Sequence, residues 1–158
     1  MKSLPDSFLR TSFIVGHPQE TPEMFKEMCE FASDFGFDRI NVFSYSDEES
    51  TFSYDMQDKI HEDIIAQRAD ILGDIAKQAL QKSLKNEIGK EIEVVIDGES
   101  EEHEYLLSAR KLIWAPEIDG EIYINDKTAD DELDFGVIYK AKVTDLAGDI
   151  LTATIDNA

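Results

Sequence analysis

The chain has 158 residues, 42% of them hydrophobic and 32% charged, which excludes a disordered tail and allows one good core or two small ones. Its net charge of −20 is unevenly divided, with 16 acids against 9 bases in residues 1–85 and 19 against 6 in residues 86–158. A half at −13 would be repelled by a phosphate backbone, which binds through Lys and Arg, and would attract a basic protein; the plain alternative is a solubilising acidic surface. The single cysteine, Cys29, excludes an internal disulfide framework and fits a reducing cytosol. No apolar run reaches the ~18–20 residues of a spanning helix, and Met1-Lys2-Ser3-Leu4-Pro5 has no signal-peptide core. A cytoplasmic location without membrane contact is expected.

Residues 9–15 are apolar-rich and end at Gly16, the pattern of a buried strand. Thr21 can cap a helix that starts at Pro22, with Glu23 on its positive end. Phe25, Met28, Cys29, Ala32 and Phe35 follow at helical spacing, and Gly36 is the stop. Residues 39–45 predict a second strand, making a βαβ unit with parallel strands. Two parallel strands cannot cover themselves, so this unit expects neighbours from a larger barrel. A polar, acidic loop over 46–58 precedes a long amphipathic helix over 59–85, carried by Ile60, Ile64, Ile71, Ile75, Ala79 and Leu80.

A boundary is expected near Asn86-Glu87-Ile88-Gly89, beyond which the period changes to two. Ile92, Val94 and Ile96 alternate up to a turn at Asp97-Gly98. Further strands are predicted over 105–114, 121–124, 137–144 and 150–155, punctuated by Gly120, Gly136 and Gly148. Five short strands in this span suggest an OB-like antiparallel barrel. The expected organisation is part of an α/β barrel over 1–58, a linking helix over 59–85 and a β-barrel over 86–158.

Gly16-His17-Pro18-Gln19-Glu20 falls at the carboxyl end of the first strand, where parallel α/β folds gather their ligands. Gly16 would let a cofactor approach the backbone, and Glu20 could bind ribose hydroxyls or an amino group. Alternatively, the glycine and proline only shape a turn. His17, His61 and His103 have no metal-ligand spacing, and Cys29 sits mid-helix on an apolar face as an ordinary core residue. Ser46, Asp47, Glu48 and Glu49 read as a solvated acidic loop, with cation binding as the sharper alternative. Trp114 and Tyr105 could form a base-stacking platform, but only Arg110 and Lys111 are basic nearby, so core or protein-contact roles fit better. No catalytic residue and no metal ligand is assigned.

Residues 9–21, Val42-Phe43-Ser44-Tyr45-Ser46 with Glu48, Glu49 and Thr51, Ala115-Pro116-Glu117-Ile118-Asp119-Gly120 and Asp145-Leu146-Ala147-Gly148 together resemble a known family. It is that of the radical S-adenosylmethionine methylthiotransferases, of the type that modifies a ribosomal protein. The resemblance covers the whole chain but only about the last third of the family's length. It implies a radical-SAM barrel fragment followed by a TRAM barrel. It also implies that the intact protein uses S-adenosylmethionine and two four-iron four-sulfur clusters to methylthiolate an aspartate of small-subunit ribosomal protein twelve. The cluster cysteines are not in this sequence, so the chain alone is expected to be inactive. By the same resemblance Gly16, Pro18 and Glu20 lie on the cofactor side, and Arg110, Pro116, Glu117 and Asp119 are candidates for substrate contact. The family usually has glycine at positions 19 and 50 and aspartate at 114, where this chain has Gln19, Ser50 and Trp114. A sibling group modifies adenosine in tRNA, but a barrel at −13 suits a basic protein better. A free-standing acidic binding module is the third reading.

Overall fold

The computed structural model describes residues 7–100, 106–126 and 133–155. The chain divides into two compact units: Phe8–Leu80, and Gln81–Ala158 together with Met1–Ser7.

In the first unit, β1 (Arg10–Val15) leads through α1 (Pro22–Asp34) to β2 (Arg39–Ser44). The Thr21 hydroxyl accepts from the Met24 N–H at 3.2 Å, as a helix cap should, and Gly36 (φ +86°) supplies the left-handed residue just beyond the C-cap Phe35. The two strands pair in parallel, from Arg10 opposite Arg39 to Val15 opposite Ser44. Their alternation puts Phe13, Val15, Ile40 and Val42 into a core with Ala32 of α1 and Leu72 of the following helix. The opposite face carries Ile14 and Phe43, register partners that are 57% and 55% exposed.

The long helix α2 (Glu62–Lys85) starts three residues later than its apolar pattern predicts. Lys59 is held back in the preceding loop by side-chain contacts, and the His61 carbonyl accepts the first helical bonds, from Ile64 and Ile65. The division between the two units falls within α2, between Leu80 and Gln81.

The second unit is a closed barrel of β3 (Glu91–Glu99), β4 (Leu107–Lys111), β5 (Ile122–Asp126), β6 (Ile138–Ala147) and β7 (Ile150–Thr154), in the order β3-β4-β5-β7-β6. Two expectations are corrected. The barrel is not wholly antiparallel, because β5 and β7 run parallel. Directions cannot alternate all the way round a closed ring with an odd number of strands, so one neighbouring pair must be parallel. Nor is Asp97-Gly98 a turn: β3 continues through it, with the register to β4 shifting between Ile96 and Gly98. That irregularity is a bulge, which bends a strand without ending it. Val94, Ile96, Ala109, Ile122, Ile124, Val143, Leu151 and Ala153 fill the interior, each buried Ile or Leu contributing about 1.5–3 kcal/mol. Among the described residues, no helix is long and apolar enough to cross a membrane.

Candidate functional site

Parallel pairing brings the loops after β1 and β2 to the same end of the sheet, where the Tyr45 N–H donates to the Val15 carbonyl at 2.8 Å. Gly16 is required there for two reasons. Its φ is +87°, and a Cβ would lie 2.5 Å from Ile65 Cγ1 of α2. The space beside Gly16 is thus occupied by the helix, which accounts for the glycine through packing. Glu20 folds back beneath the loop. Its Oε2 accepts from the Gly16 N–H at 3.1 Å, and its Oε1 pairs with Arg68 Nη1, which also donates to the Glu20 carbonyl at 3.1 Å. The two side chains are only 7% and 10% exposed, and the guanidinium stacks over Phe25. Pro18 is fully buried. The structure therefore brings Gly16, Pro18 and Glu20 together as an internal brace, while His17 and Gln19 are the exposed members of the segment. Arg68 escaped the sequence reading, although its place between Ile65 and Leu72 on the apolar stripe of α2 was a usable signal.

The loop after β2 is organised around a cation. Lys59 pairs with Asp47, donates to the Ser53 carbonyl at 2.8 Å and lies over the rings of Tyr45 and Tyr54 at 5.7 and 5.6 Å. The Tyr45 hydroxyl donates to Asp47 at 2.7 Å, and the His17 ring meets Tyr45 edge to face at 5.4 Å. Hydrogen bonds from Lys59 and Tyr45 hold the Asp47 carboxyl below its usual range. For Lys59, desolvation acts downward, but its hydrogen bond and charge contact with Asp47 outweigh it and raise the ammonium. Ser46, Asp47, Glu48 and Glu49 are all exposed, as a solvated acidic loop should be, with Asp47 tied to Lys59 and Tyr45.

In the barrel, residues 112–120 form a tight loop after β4. The Ala115 N–H donates to Asp119 Oδ2 at 2.7 Å, and the Ile118 and Asp119 N–H groups converge on the Ala115 carbonyl. Asp119 is 1% exposed and Trp114 3%. Trp114 is therefore a buried support whose ring sits against Gly120, not a stacking platform; Tyr105 lies outside the described residues. Arg110 pairs with Asp97 at 3.1 Å and reaches the Trp114 carbonyl at 3.5 Å, so it braces the loop from behind. Lys111 pairs with Glu87 at 2.5 Å, and Lys90 joins the same carboxylate at 3.1 Å. Burial acts to raise Glu87, but these two lysines outweigh it and hold the carboxyl below its usual range. Of the four candidate contact residues, Pro116 and Glu117 are exposed on the loop, whereas Asp119 ties it from within and Arg110 holds it from β4.

Residues 88–155 match the family described as the TRAM domain, a span that contains all five barrel strands. The whole chain is 66% identical to the ribosomal protein uS12 methylthiotransferase RimO of Sulfurimonas denitrificans, over 158 residues that make up 36% of that protein. Along its whole length the chain is similar to part of this RimO protein. RimO of Aliarcobacter butzleri is 57% identical over 157 residues, 98% of this chain and 35% of the relative. RimO of Campylobacter jejuni is 46% identical over 143 residues, 90% of this chain and 32% of the relative. The chain thus spans about a third of the length of the curated RimO relatives it matches.

The backbone bears on two positions at which this chain departs from the glycines of the resemblance. Gln19 and Ser50 both have φ +70°, in the left-handed region that glycine occupies without strain. With Asp58 (φ +61°), they put three of the four non-glycine left-handed residues among the described residues into the two loops beyond β1 and β2. Such strain concentrates where a loop must hold one shape for a ligand. The fourth, Glu117 (φ +61°), is in the barrel loop. Among the described residues, no group of three or more His, Cys, Asp and Glu side chains is placed to hold a metal ion.

Proposed function

We propose that this chain is the C-terminal part of a cytoplasmic radical S-adenosylmethionine methylthiotransferase that modifies an aspartate of ribosomal protein uS12. The observation that carries this reading is the 66% identity, along the full chain, to a protein named for uS12 methylthiotransfer. The first unit supports it, because a parallel pair with both helices on one side and the apolar Ile14 and Phe43 on the other suits one segment of a larger α/β barrel.

In this reading Gly16, Pro18 and Glu20 shape the cofactor-side loop, and Glu20 acts by positioning the backbone from below. S-adenosylmethionine would supply the radical when reduced by an iron–sulfur cluster. The residues of this chain do not suit a cluster, since Cys29 is its only cysteine and lies partly buried in α1. Cluster ligands would therefore come from sequence outside this chain, and the chain alone would be inactive. The acidic barrel recognises the basic protein substrate, with Pro116 and Glu117 at its surface and Arg110 and Asp119 holding their loop. Recognition of tRNA by this barrel is disfavoured because Lys90, Arg110, Lys111 and Lys140 each already pair with a carboxylate.

The reading is tested by producing the longer reading frame anaerobically and assaying uS12 by mass spectrometry. Methylthiolated aspartate from the longer protein, with none from this chain, is the expected result. Modification of tRNA adenosine instead, or a native protein that begins at Met1, would replace this reading with the sibling activity or with a stand-alone acidic module respectively.

A further inference from the structure

We infer that residues 112–118 form an apolar anchor site for a basic polypeptide segment of the protein substrate, an inference that rests on the acidic-barrel reading above. Leu112, Ile113 and Ile118 are 44%, 48% and 54% exposed, all on this one short loop. Three large aliphatic side chains on a single surface loop are unusual without something to bury them. The loop is also held in shape by its own contacts, because Asp119 ties it from within, Trp114 is buried under it and Arg110 reaches the Trp114 carbonyl. A pre-ordered loop loses little conformational freedom on binding, so apolar contact made there is retained as affinity.

The charges around the loop identify the occupant. Its two flanking cations are neutralised in place, Arg110 by Asp97 and Lys111 by Glu87. Glu117 is exposed beside Ile118, in a domain that carries 19 acids against 6 bases. Aliphatic anchors amid uncompensated negative charge complement a segment that combines Lys or Arg with an apolar side chain. A nucleic acid backbone and an anionic lipid surface would both be repelled.

The test titrates the chain and its variants with purified uS12, and with polylysine as a probe of charge alone. Ile113→Ser/Ile118→Ser is expected to weaken uS12 binding by about tenfold or more while leaving polylysine binding unchanged. Glu117→Gln is expected to weaken both by a few-fold and to flatten their salt dependence. Leu112→Gln, a single exposed change, is expected to give a smaller loss for uS12 only and keeps the test decisive if the double variant unfolds. Unchanged uS12 affinity in the folded apolar variants would overturn the anchor site and leave the acidic-barrel reading standing. No uS12 binding by the unaltered chain would overturn both.

Discussion

Gly16 tolerates a side chain neither in its own backbone nor in its surroundings. Gly16→Ala is expected to cost at least about 2 kcal/mol, from a left-handed alanine plus the collision with Ile65. Urea denaturation would measure this, and the same Gly16→Ala change made in an Ile65→Ala background should cost only the backbone part, because the collision is gone. Glu20 and Arg68 form a buried pair that also closes the loop through the Gly16 N–H. Removing one partner leaves a buried charge, so Arg68→Met is expected to cost about 3–5 kcal/mol, and Arg68→Met/Glu20→Gln less than the sum of the single changes. Strictly additive losses in that cycle would mean the pair contributes nothing as a pair. At position 50 the expectation reverses: Ser50→Gly relieves a left-handed serine and should stabilise by about 0.5–1 kcal/mol, read as a raised denaturation midpoint.

At the scale of elements, Glu87 joins the segment after α2 to β4 through Lys111. Its carboxyl is held low in the folded protein and returns to the ordinary range on unfolding. Its stabilising effect is therefore complete above the unfolded value and is lost as pH falls through the lower folded value. Denaturation of wild type and Glu87→Gln over a pH series should give a gap at neutral pH that closes in acid. A gap of constant size would show that the contribution is not electrostatic. Gln81 and the β6–β7 hairpin form a comparable joint, because its amide donates to the Gly148 carbonyl at 2.8 Å and to Asp149. Much of this level was legible in the sequence. Thr21 and Gly36 bounded α1, and the period of two in Ile92, Val94 and Ile96 defined β3. What was not legible depends on partners distant in the chain. The bulge at Asp97 is set by pairing with β4, the late start of α2 by the grip of Asp47 on Lys59, and the burial of Glu20 by an arginine 48 residues later.

At the scale of the whole molecule, charge and identity point the same way. Residues 86–158 concentrate the negative charge, while Lys90, Arg110, Lys111 and Lys140 are each paired with a carboxylate. The resemblance located the candidate residues but not their roles, because motif position does not say which way a side chain faces. Asp119 braces the loop from inside it and Arg110 from β4 behind it, and the exposed Leu112 and Ile113 between them were not singled out. The central claim is that this acidic barrel recognises a basic protein and not a nucleic acid. It is tested most directly by titrating the chain with uS12 and, separately, with tRNA, each at low and moderate salt. Saturable binding to uS12 that weakens with salt, and none to tRNA, is the predicted result. Tight binding to tRNA with none to uS12 would contradict it.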